Sequence, residues 1–115
     1  GIDNSSVAVE SAAANAAING LSDTISVTSG TLDEEAATRL AGQYDLVLAN
    51  ILAHIIGGMA PQLAQVLAPG AVLIASGIIE ARLPEAEGPL VAAGLQTLDY
   101  AMIDDWIALI MRKPG

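Results

Sequence analysis

The sequence contains neither cysteine nor phenylalanine. Without cysteine, the chain can form no disulfide, no thiolate zinc site and no cysteine nucleophile. Its aromatic residues are Tyr44, Tyr100 and Trp106, although 53% of all residues are apolar. We therefore expect an aliphatic core that is rich in alanine. A length of 115 residues suits one domain, which would bury roughly 65% of the surface that its unfolded chain exposes.

Positive charge is scarce as well. Four basic residues stand against 13 acidic ones, which gives a formal net charge of −9. A nucleic-acid backbone would be repelled, so we expect no direct nucleic-acid binding, whereas a basic protein would be attracted. No apolar run approaches the ~20 residues of a membrane span, and the first residues lack the pattern of a signal peptide. These features favour a cytoplasmic protein with no membrane partner.

The most informative stretch is Asp-Leu-Val-Leu-Ala-Asn at residues 45–50. A short apolar run of this kind, followed by a helical pattern, predicts a buried strand of a parallel sheet. Ligands of open α/β sheets bind beyond the carboxyl ends of the strands. Asn50 stands at that end, so it is the first candidate for a functional residue.

The N-terminal part of the chain alternates between helical and strand patterns. Residues 7–19 are rich in alanine and predict a helix that Gly20 ends. Residues 24–28 alternate and are β-branched, which predicts a strand. Thr31 and Glu34 have the spacing of a capping box, so a short helix should follow Thr31 as its N-cap. The first residues, Gly1-Ile2-Asp3, are typical of the interior of a longer chain, with Ile2 at the end of a strand.

The C-terminal part continues the alternation. An irregular turn is expected near Gly57-Gly58, then a regular helix from Ala60, ended by Pro69-Gly70. Residues 71–76 predict a strand stopped by Gly77, and residues 80–93 a helix that its prolines kink or delay. Residues 95–102 and 106–112 predict an antiparallel hairpin. We therefore expect an α/β fold, a Rossmann-like sheet with helices on both faces that ends in this hairpin.

Several residues carry chemistry, and each has an ordinary structural explanation beside the functional one. Asp3 could accept hydrogen bonds from the two hydroxyls of a ribose, but the local pattern favours a helix N-cap. Asn50 could orient an amino group for attack, or cap the next helix. His54 could act as a base, but a lone histidine is more often a partly exposed polar residue.

The remaining candidates favour a structural role. Residues 33–35, Asp-Glu-Glu, are typical of a solvated helix start. Trp106 is expected to anchor packing rather than to form a platform for a ligand. A nucleotide-dependent oxidoreductase is disfavoured because the sequence contains no Gly-x-Gly-x-x-Gly motif, and no phosphate-binding Gly-Lys-Ser/Thr motif is present either.

Taken together, these segments resemble the ribosomal protein methyltransferases of the PrmA type, which are class I enzymes that use S-adenosyl-L-methionine. The resemblance runs along nearly the whole chain and is strongest at residues 49–53, Ala-Asn-Ile-Leu-Ala. The other matching segments are Gly1-Ile2-Asp3, the alanine-rich helix with Asn15 and Asn19-Gly20, Leu-Ala-Pro-Gly at 67–70, Ser-Gly-Ile at 76–78 and Trp-Ile-Ala-Leu at 106–109.

The resemblance implies a role for each matching position. Asp3 would hold the cofactor ribose, and the chain at Ser29-Gly30 would run alongside the adenine. Asn50 would lie beside the methionine part of the cofactor and the acceptor nitrogen. The backbone carbonyls of Ile51 and Leu52 would help to position the amine. The substrate would be a basic ribosomal protein, methylated on its amino groups.

The family's glycine-rich loop and first strand have no counterpart in this sequence. We therefore expect residues 1–115 to be the C-terminal part of one catalytic domain. The alternative is a non-catalytic α/β fragment or interaction module derived from a methyltransferase. Because the first strand would lie in the middle of the sheet, its absence would leave a strand edge exposed. Such an edge predicts homo-oligomers or low stability.

Overall fold

The computed structural model describes residues 1–24, 26 and 28–115. The chain divides into two compact units, Gly1–Leu32 and Asp33–Gly115. Each unit is described by itself.

The first unit contains two short parallel strands and one helix. Strand β1 (Ile2–Asp3) pairs with β2 (Thr28–Ser29), and helix α1 spans Ser6–Ile18. The predicted helix is confirmed within one residue at each end: Ser5 is its N-cap, and Gly20 follows it with a φ of +69°. The predicted strand over 24–28 lies partly outside the described residues, at Ile25 and Val27.

The second unit is a mixed four-stranded sheet with helices. Its strands lie in the order β3-β4-β6-β5; β3 and β4 are parallel, and β6 is antiparallel to both of its neighbours. The elements are α2 (Glu34–Arg39), β3 (Tyr44–Asn50), α3 (Ala53–Gly58), α4 (Ala60–Val66), β4 (Leu67–Ile79), a 3₁₀ turn (Glu80–Arg82), α5 (Leu83–Ala92), β5 (Gln96–Ile103) and β6 (Trp106–Arg112). The predicted α/β class and the closing hairpin are confirmed.

Helix α2 begins later than its predicted cap. The N-cap is Asp33 rather than Thr31, and its Oδ1 accepts a hydrogen bond from the backbone N–H of Ala36 at 2.8 Å. A carboxylate at this place also meets the positive end of the helix dipole, which favours Asp33 over a hydroxyl. Glu34 and Glu35 are exposed in the first turn, so the prediction of a solvated acidic helix start is confirmed.

The expected irregular turn at Gly57-Gly58 is wrong, because residues 53–58 form helix α3. Gly57 faces α5: a Cβ on it would overlap the backbone carbonyl oxygen of Glu85 and lie 3.2 Å from Cγ of Pro89. Packing against α5 thus requires a glycine inside a helix, and tertiary contact overrides low helix propensity. Helix α4 begins at Ala60 with Pro61 in its first turn, as predicted.

Strand β4 is longer than predicted at both ends. It includes Pro69-Gly70 and continues past Gly77, which was expected to stop it. In the pairing with β6, Ala75 lies opposite Leu109 and Ile78 opposite Ile107. Three steps along β4 therefore match two along β6, so β4 carries one extra residue. Gly77, with a φ of +76°, lies in this β-bulge rather than at a strand end.

The prolines delay α5 as predicted. Residues 80–82 form the 3₁₀ turn, and Pro84 lies in the first turn of α5. The N–H groups of a first turn have no partner within the helix, so the proline costs no hydrogen bond there. The hairpin turns at Asp104-Asp105, with Asp104 at a φ of +54°.

The core of the second unit is aliphatic, with one methionine, as the composition predicts. Its largest fully buried side chains are Ile56, Leu67, Leu73, Ile78, Leu90, Leu109 and Met111. The expectation that Trp106 anchors packing is wrong, since 53% of this residue is exposed. Alternation along β6 explains this: the neighbouring residue Ile107 faces the core instead. In the described part of the chain, no helix has the length and apolar character needed to cross a membrane.

Strand β3 is not the buried strand that its sequence predicts. Leu46 and Leu48 are 53% and 70% exposed, and Ala49 is its buried residue. The reason is position: β3 is the last strand of the four-stranded sheet and pairs there with β4 on one side. Apolar side chains of β3 are therefore exposed at this edge of the sheet.

Candidate functional site

Asn50 lies at the carboxyl end of β3, where the sequence places it. It is exposed and pairs in register with Ser76 of β4. Its side chain lies against Gly77, since a Cβ on Gly77 would overlap the Asn50 Oδ1 atom. The same Cβ position is 3.7 Å from the backbone carbonyl oxygen of Ile51. Two hydrogen-bond acceptors, one from a side chain and one from the backbone, thus lie near Gly77 at the strand end.

Ile51 and Leu52 form the link from β3 to α3, and their carbonyl groups differ. The Leu52 oxygen accepts hydrogen bonds from the backbone N–H groups of Ile55 and Ile56, each at 3.0 Å. A carbonyl oxygen has two lone pairs, so α3 engages both of them. Of the two carbonyl oxygens, that of Ile51 is among the three atoms nearest to the position of a Cβ on Gly77. The roles of both residues toward an amine stay predictions.

Asp3, Ser29 and Gly30 come together in the first unit. Asp3 and Ser29 are register partners in β1 and β2, and the N–H of Gly30 donates to the carbonyl oxygen of Asp3 at 2.9 Å. The three residues therefore mark the carboxyl ends of two parallel strands. Asp3 is not the N-cap of α1. Its Oδ1 accepts from the backbone N–H of Ser5, the residue that does cap the helix, at 2.8 Å.

The other sequence candidates lie outside these groups. His54 is exposed in the first turn of α3, as its ordinary explanation predicts. Among residues 1–24, 26 and 28–115, no group of three or more His, Cys, Asp or Glu side chains could hold a metal ion.

A hydrogen-bonded cluster around the Glu87 carboxylate, near the edge of the sheet opposite β3, has a structural role. The hydroxyls of Thr97, at 2.8 Å, and of Tyr100 both donate to Oε2 of Glu87 on α5. The hydrogen bond to Glu87 raises the pKa of the Tyr100 hydroxyl above its ordinary 10.0, with smaller contributions from desolvation and the negative charge of Glu87. Strand β5 forms the opposite edge of the sheet from β3, so this cluster joins α5 to β5 and takes no part in the site at Asn50.

A cavity of about 290 Å³ lies between α4 and the C-terminal residues. Its lining includes Lys113, whose Nζ donates to the backbone carbonyl oxygens of Ala64 and Leu67, each at 2.9 Å. A cation at the C-terminal end of a helix satisfies carbonyls that the helix itself leaves unpaired. Lys113 therefore closes the junction of α4 and β4, at the other end of β4 from Ser76.

Sequence reasoning missed Gly77 as a functional candidate. From the sequence alone, it receives no role beyond a strand end and a place in a matching segment. The available signal was its place: Ser76-Gly77 follows the apolar run of the next strand, at the level where a neighbouring parallel strand would end in Asn50.

A parallel pair of strands that carries this polar end, followed by an antiparallel hairpin, places the chain in the fold of the class I methyltransferases. The family model described as ribosomal protein L11 methyltransferase (PrmA) matches residues 1–114. The chain belongs to this family.

Individual relatives agree with this assignment. The chain is 38% identical over 112 residues to the ribosomal protein L11 methyltransferase of Brevibacillus brevis and 41% identical over 111 residues to that of Pelotomaculum thermopropionicum. These alignments cover 97% and 96% of the chain. Among solved structures, the ribosomal protein L11 methylase of Lactobacillus delbrueckii subsp. bulgaricus is similar, with a TM-score of 0.86, 32% identity and 99% of the chain covered.

The chain is much shorter than these relatives. It spans 34% and 35% of the two curated methyltransferases, and 57% of the solved chain. The sequence thus accounts for about a third of a curated family member.

Proposed function

We propose that residues 1–115 are the C-terminal part of the catalytic domain of an S-adenosyl-L-methionine-dependent N-methyltransferase, which methylates amino groups of a ribosomal protein. The observation that carries the proposal is the pair of acceptors at the end of β3, Asn50 Oδ1 and the Ile51 carbonyl oxygen. An amine has N–H groups for such acceptors. Family membership supplies the reaction class.

The residues at the ends of β1 and β2 fit the cofactor. Asp3 is exposed there, directly beside Ser29-Gly30. An exposed carboxylate at the carboxyl end of a strand is suited to accept hydrogen bonds from the hydroxyls of a ribose. Asp3 would hold that sugar, and the backbone of Ser29 and Gly30 would lie beside the adenine. The cofactor supplies a methyl group on a positively charged sulfur.

The contribution of the second unit is to hold the amine. Asn50 Oδ1 and the Ile51 oxygen accept N–H bonds, which orients the nitrogen with its lone pair free. The carbonyl of Leu52 would support this segment from the start of α3. No side-chain nucleophile is needed, because alignment of the reacting groups removes much of the barrier to such a transfer.

The negative net charge of the chain supports a basic substrate. A net charge of −9 attracts a basic protein and repels a nucleic-acid backbone. We therefore propose a basic ribosomal protein as the partner, in the cytoplasm, with no direct nucleic-acid or membrane contact. The exposed, terminal strand β3 also supports self-association of the isolated chain through its edge.

Calorimetric titration of S-adenosyl-L-methionine tests the proposal against the alternative of a non-catalytic fragment. Micromolar binding by the 115-residue chain that Asp3→Ala removes would support a functional site. Asp23→Ala is the matched control, because Asp23 is also an exposed carboxylate of the first unit, in a turn. Absence of heat at millimolar cofactor, from both the chain and the full-length protein that contains it, would contradict the proposal.

A further inference from the structure

We propose that Gly77 is a positioning residue for Asn50: its missing side chain creates the space in which the Asn50 amide is held beside the Ile51 carbonyl. The inference rests on the proposed function for its catalytic consequence. Its structural part concerns three residues of the second unit and stands on their contacts.

The pairing of β3 and β4 brings the residues together. Asn50 is the register partner of Ser76, so Gly77 is the next residue along β4. A Cβ on Gly77 would overlap Asn50 Oδ1 and lie 3.6 Å from Asn50 Cγ. The Asn50 amide therefore lies against the Gly77 backbone, in volume that any other residue would fill.

Two separate requirements select glycine at this position. The bulge gives Gly77 a φ of +76°, a conformation that is unfavourable for residues with a Cβ. The second requirement is the contact with Asn50. The other described glycines with positive φ meet only the first: a Cβ on Gly20, Gly30, Gly42 or Gly94 would have no atom within 4 Å, and one on Gly70 would have only an Arg112 nitrogen at 3.8 Å.

A methyl group on Gly77 would displace the Asn50 amide. The side chain would then rotate away from β4, and its oxygen would leave the side of the Ile51 carbonyl. Both acceptors would remain in the chain, but the Asn50 oxygen would no longer lie against Gly77. Since misplacement of a reacting group by about 1 Å can lower a rate about 100-fold, the expected effect is on turnover.

The test compares Gly77→Ala with Gly94→Ala in the full-length methyltransferase that contains this chain. Gly94 has a φ of +100° and no neighbour for a Cβ, so its variant reproduces the backbone strain without the collision. Both variants should lower the melting temperature. We expect only Gly77→Ala to lower kcat, by roughly 10- to 100-fold. An equal loss of kcat in Gly94→Ala would overturn the proposal.

A double-mutant cycle shows whether Gly77 acts through Asn50. If it does, adding Gly77→Ala to Asn50→Ala should lower kcat no further. In the same cycle measured on melting temperature, the effects of the two substitutions should also be coupled, because removal of the Asn50 amide relieves the collision. Asn50→Ala/Gly77→Ala should then melt higher than Gly77→Ala alone, and should fold even if that single variant does not. Additive losses in both cycles would overturn the proposal.

A readout without activity separates this inference from the proposed function. In the 115-residue chain, Gly77→Ala should shift the ¹H–¹⁵N NMR signals of the Asn50 side-chain amide, whereas Gly94→Ala should leave them in place. If Gly77→Ala is unfolded, the same signals are compared in Gly77→Asp, because aspartate tolerates a positive φ better than alanine and has a Cβ at the same position. Unmoved Asn50 signals in a folded Gly77 variant would overturn the proposal. The NMR comparison tests the contact of Gly77 with Asn50 even if the protein has no methyltransferase activity.

Discussion

Gly57 of α3 lies so close to Glu85 of α5 that a methyl group on Gly57 would occupy the position of the Glu85 carbonyl oxygen. The obstacle is backbone, which cannot rotate away as a side chain can. We expect Gly57→Ala to separate the two helices and lower the free energy of unfolding by about 1–3 kcal/mol, the usual range for overpacking. Urea denaturation followed by circular dichroism measures the change.

Gly58 provides the matched control for that substitution. It is the next residue of α3, and a Cβ on it would have no atom within 4 Å. Gly58→Ala should therefore leave stability unchanged or raise it by up to about 1 kcal/mol, through helix propensity. Equal destabilisation by the two variants would contradict the expectation, because contact with α5 is what distinguishes Gly57 from Gly58.

On the proposed function, Asn50→Ala should remove most methyl transfer and keep the fold. Asn50 is exposed at the end of β3, so its truncation creates no cavity. Loss of the amide oxygen would leave the amine poorly aligned, which should lower turnover in the full-length enzyme by roughly 10- to 100-fold. A methyl-transfer assay on the ribosomal protein measures this. His54→Ala, also exposed and four residues away, should keep normal turnover. Near-normal turnover of Asn50→Ala would remove Asn50 from the site.

The Tyr100 hydroxyl should titrate above its ordinary value of 10.0 because it donates to Glu87. A raised pKa means that the fold favours the protonated phenol. This contribution to stability is therefore present below pH 10.0 and is lost as the pH rises through the folded-state pKa. Glu87→Ala should lower the pKa of Tyr100, as measured by absorbance at alkaline pH in a Tyr44→Phe background.

Glu85→Ala is the control for the titration. Glu85 lies on the same helix and forms an exposed ion pair with Arg82 at 3.1 Å, with no bond to Tyr100. The tyrosine titration curve should be unchanged by this variant. A curve that Glu87→Ala also leaves unchanged would mean that Glu87 does not hold the hydroxyl in solution.

The edge of β3 should cause the isolated chain to self-associate. Leu48 is 70% exposed on this terminal strand. A lysine on an edge strand opposes pairing with another chain, so Leu48→Lys should shift the chain toward monomer in light scattering. Val91→Lys is the control, because Val91 is 51% exposed but lies on helix α5 rather than on a strand. A monodisperse, well-folded monomer of the unmodified chain would contradict the expectation.

Features set by neighbouring residues could be predicted from the sequence. The stop at Gly20 and the closing hairpin depend on side chains and backbone freedom within a few positions. So does the place of Asn50, which follows from a short apolar run that ends in an amide. The residue patterns predict the order of helices and strands well enough to place Asn50 at the end of a strand. The cap of α1, by contrast, is expected at Asp3 and lies at Ser5.

Features set by distant contacts could not be predicted. Gly57 is helical because α5 packs on it, and Gly77 continues a strand because β6 pairs beyond it. The exposure of β3 follows from its place at the end of the sheet. The contact of Gly77 with Asn50 depends on the register of β3 against β4, which the local sequence of neither strand contains.

The bulge at Gly77 affects the two neighbours of β4 differently. Toward β6, the register slips between Ala75 and Ile78, whereas toward β3 it runs without interruption from Leu46 to Asn50. Residues 72–75 of β4 pair with β3 on one side and with β6 on the other, so the bulge lies beyond the segment that the two neighbours share. Opening of β6 along residues 109–112 would release the same β4 segment that holds β3, so amide hydrogen exchange in β3 and β6 should rise together.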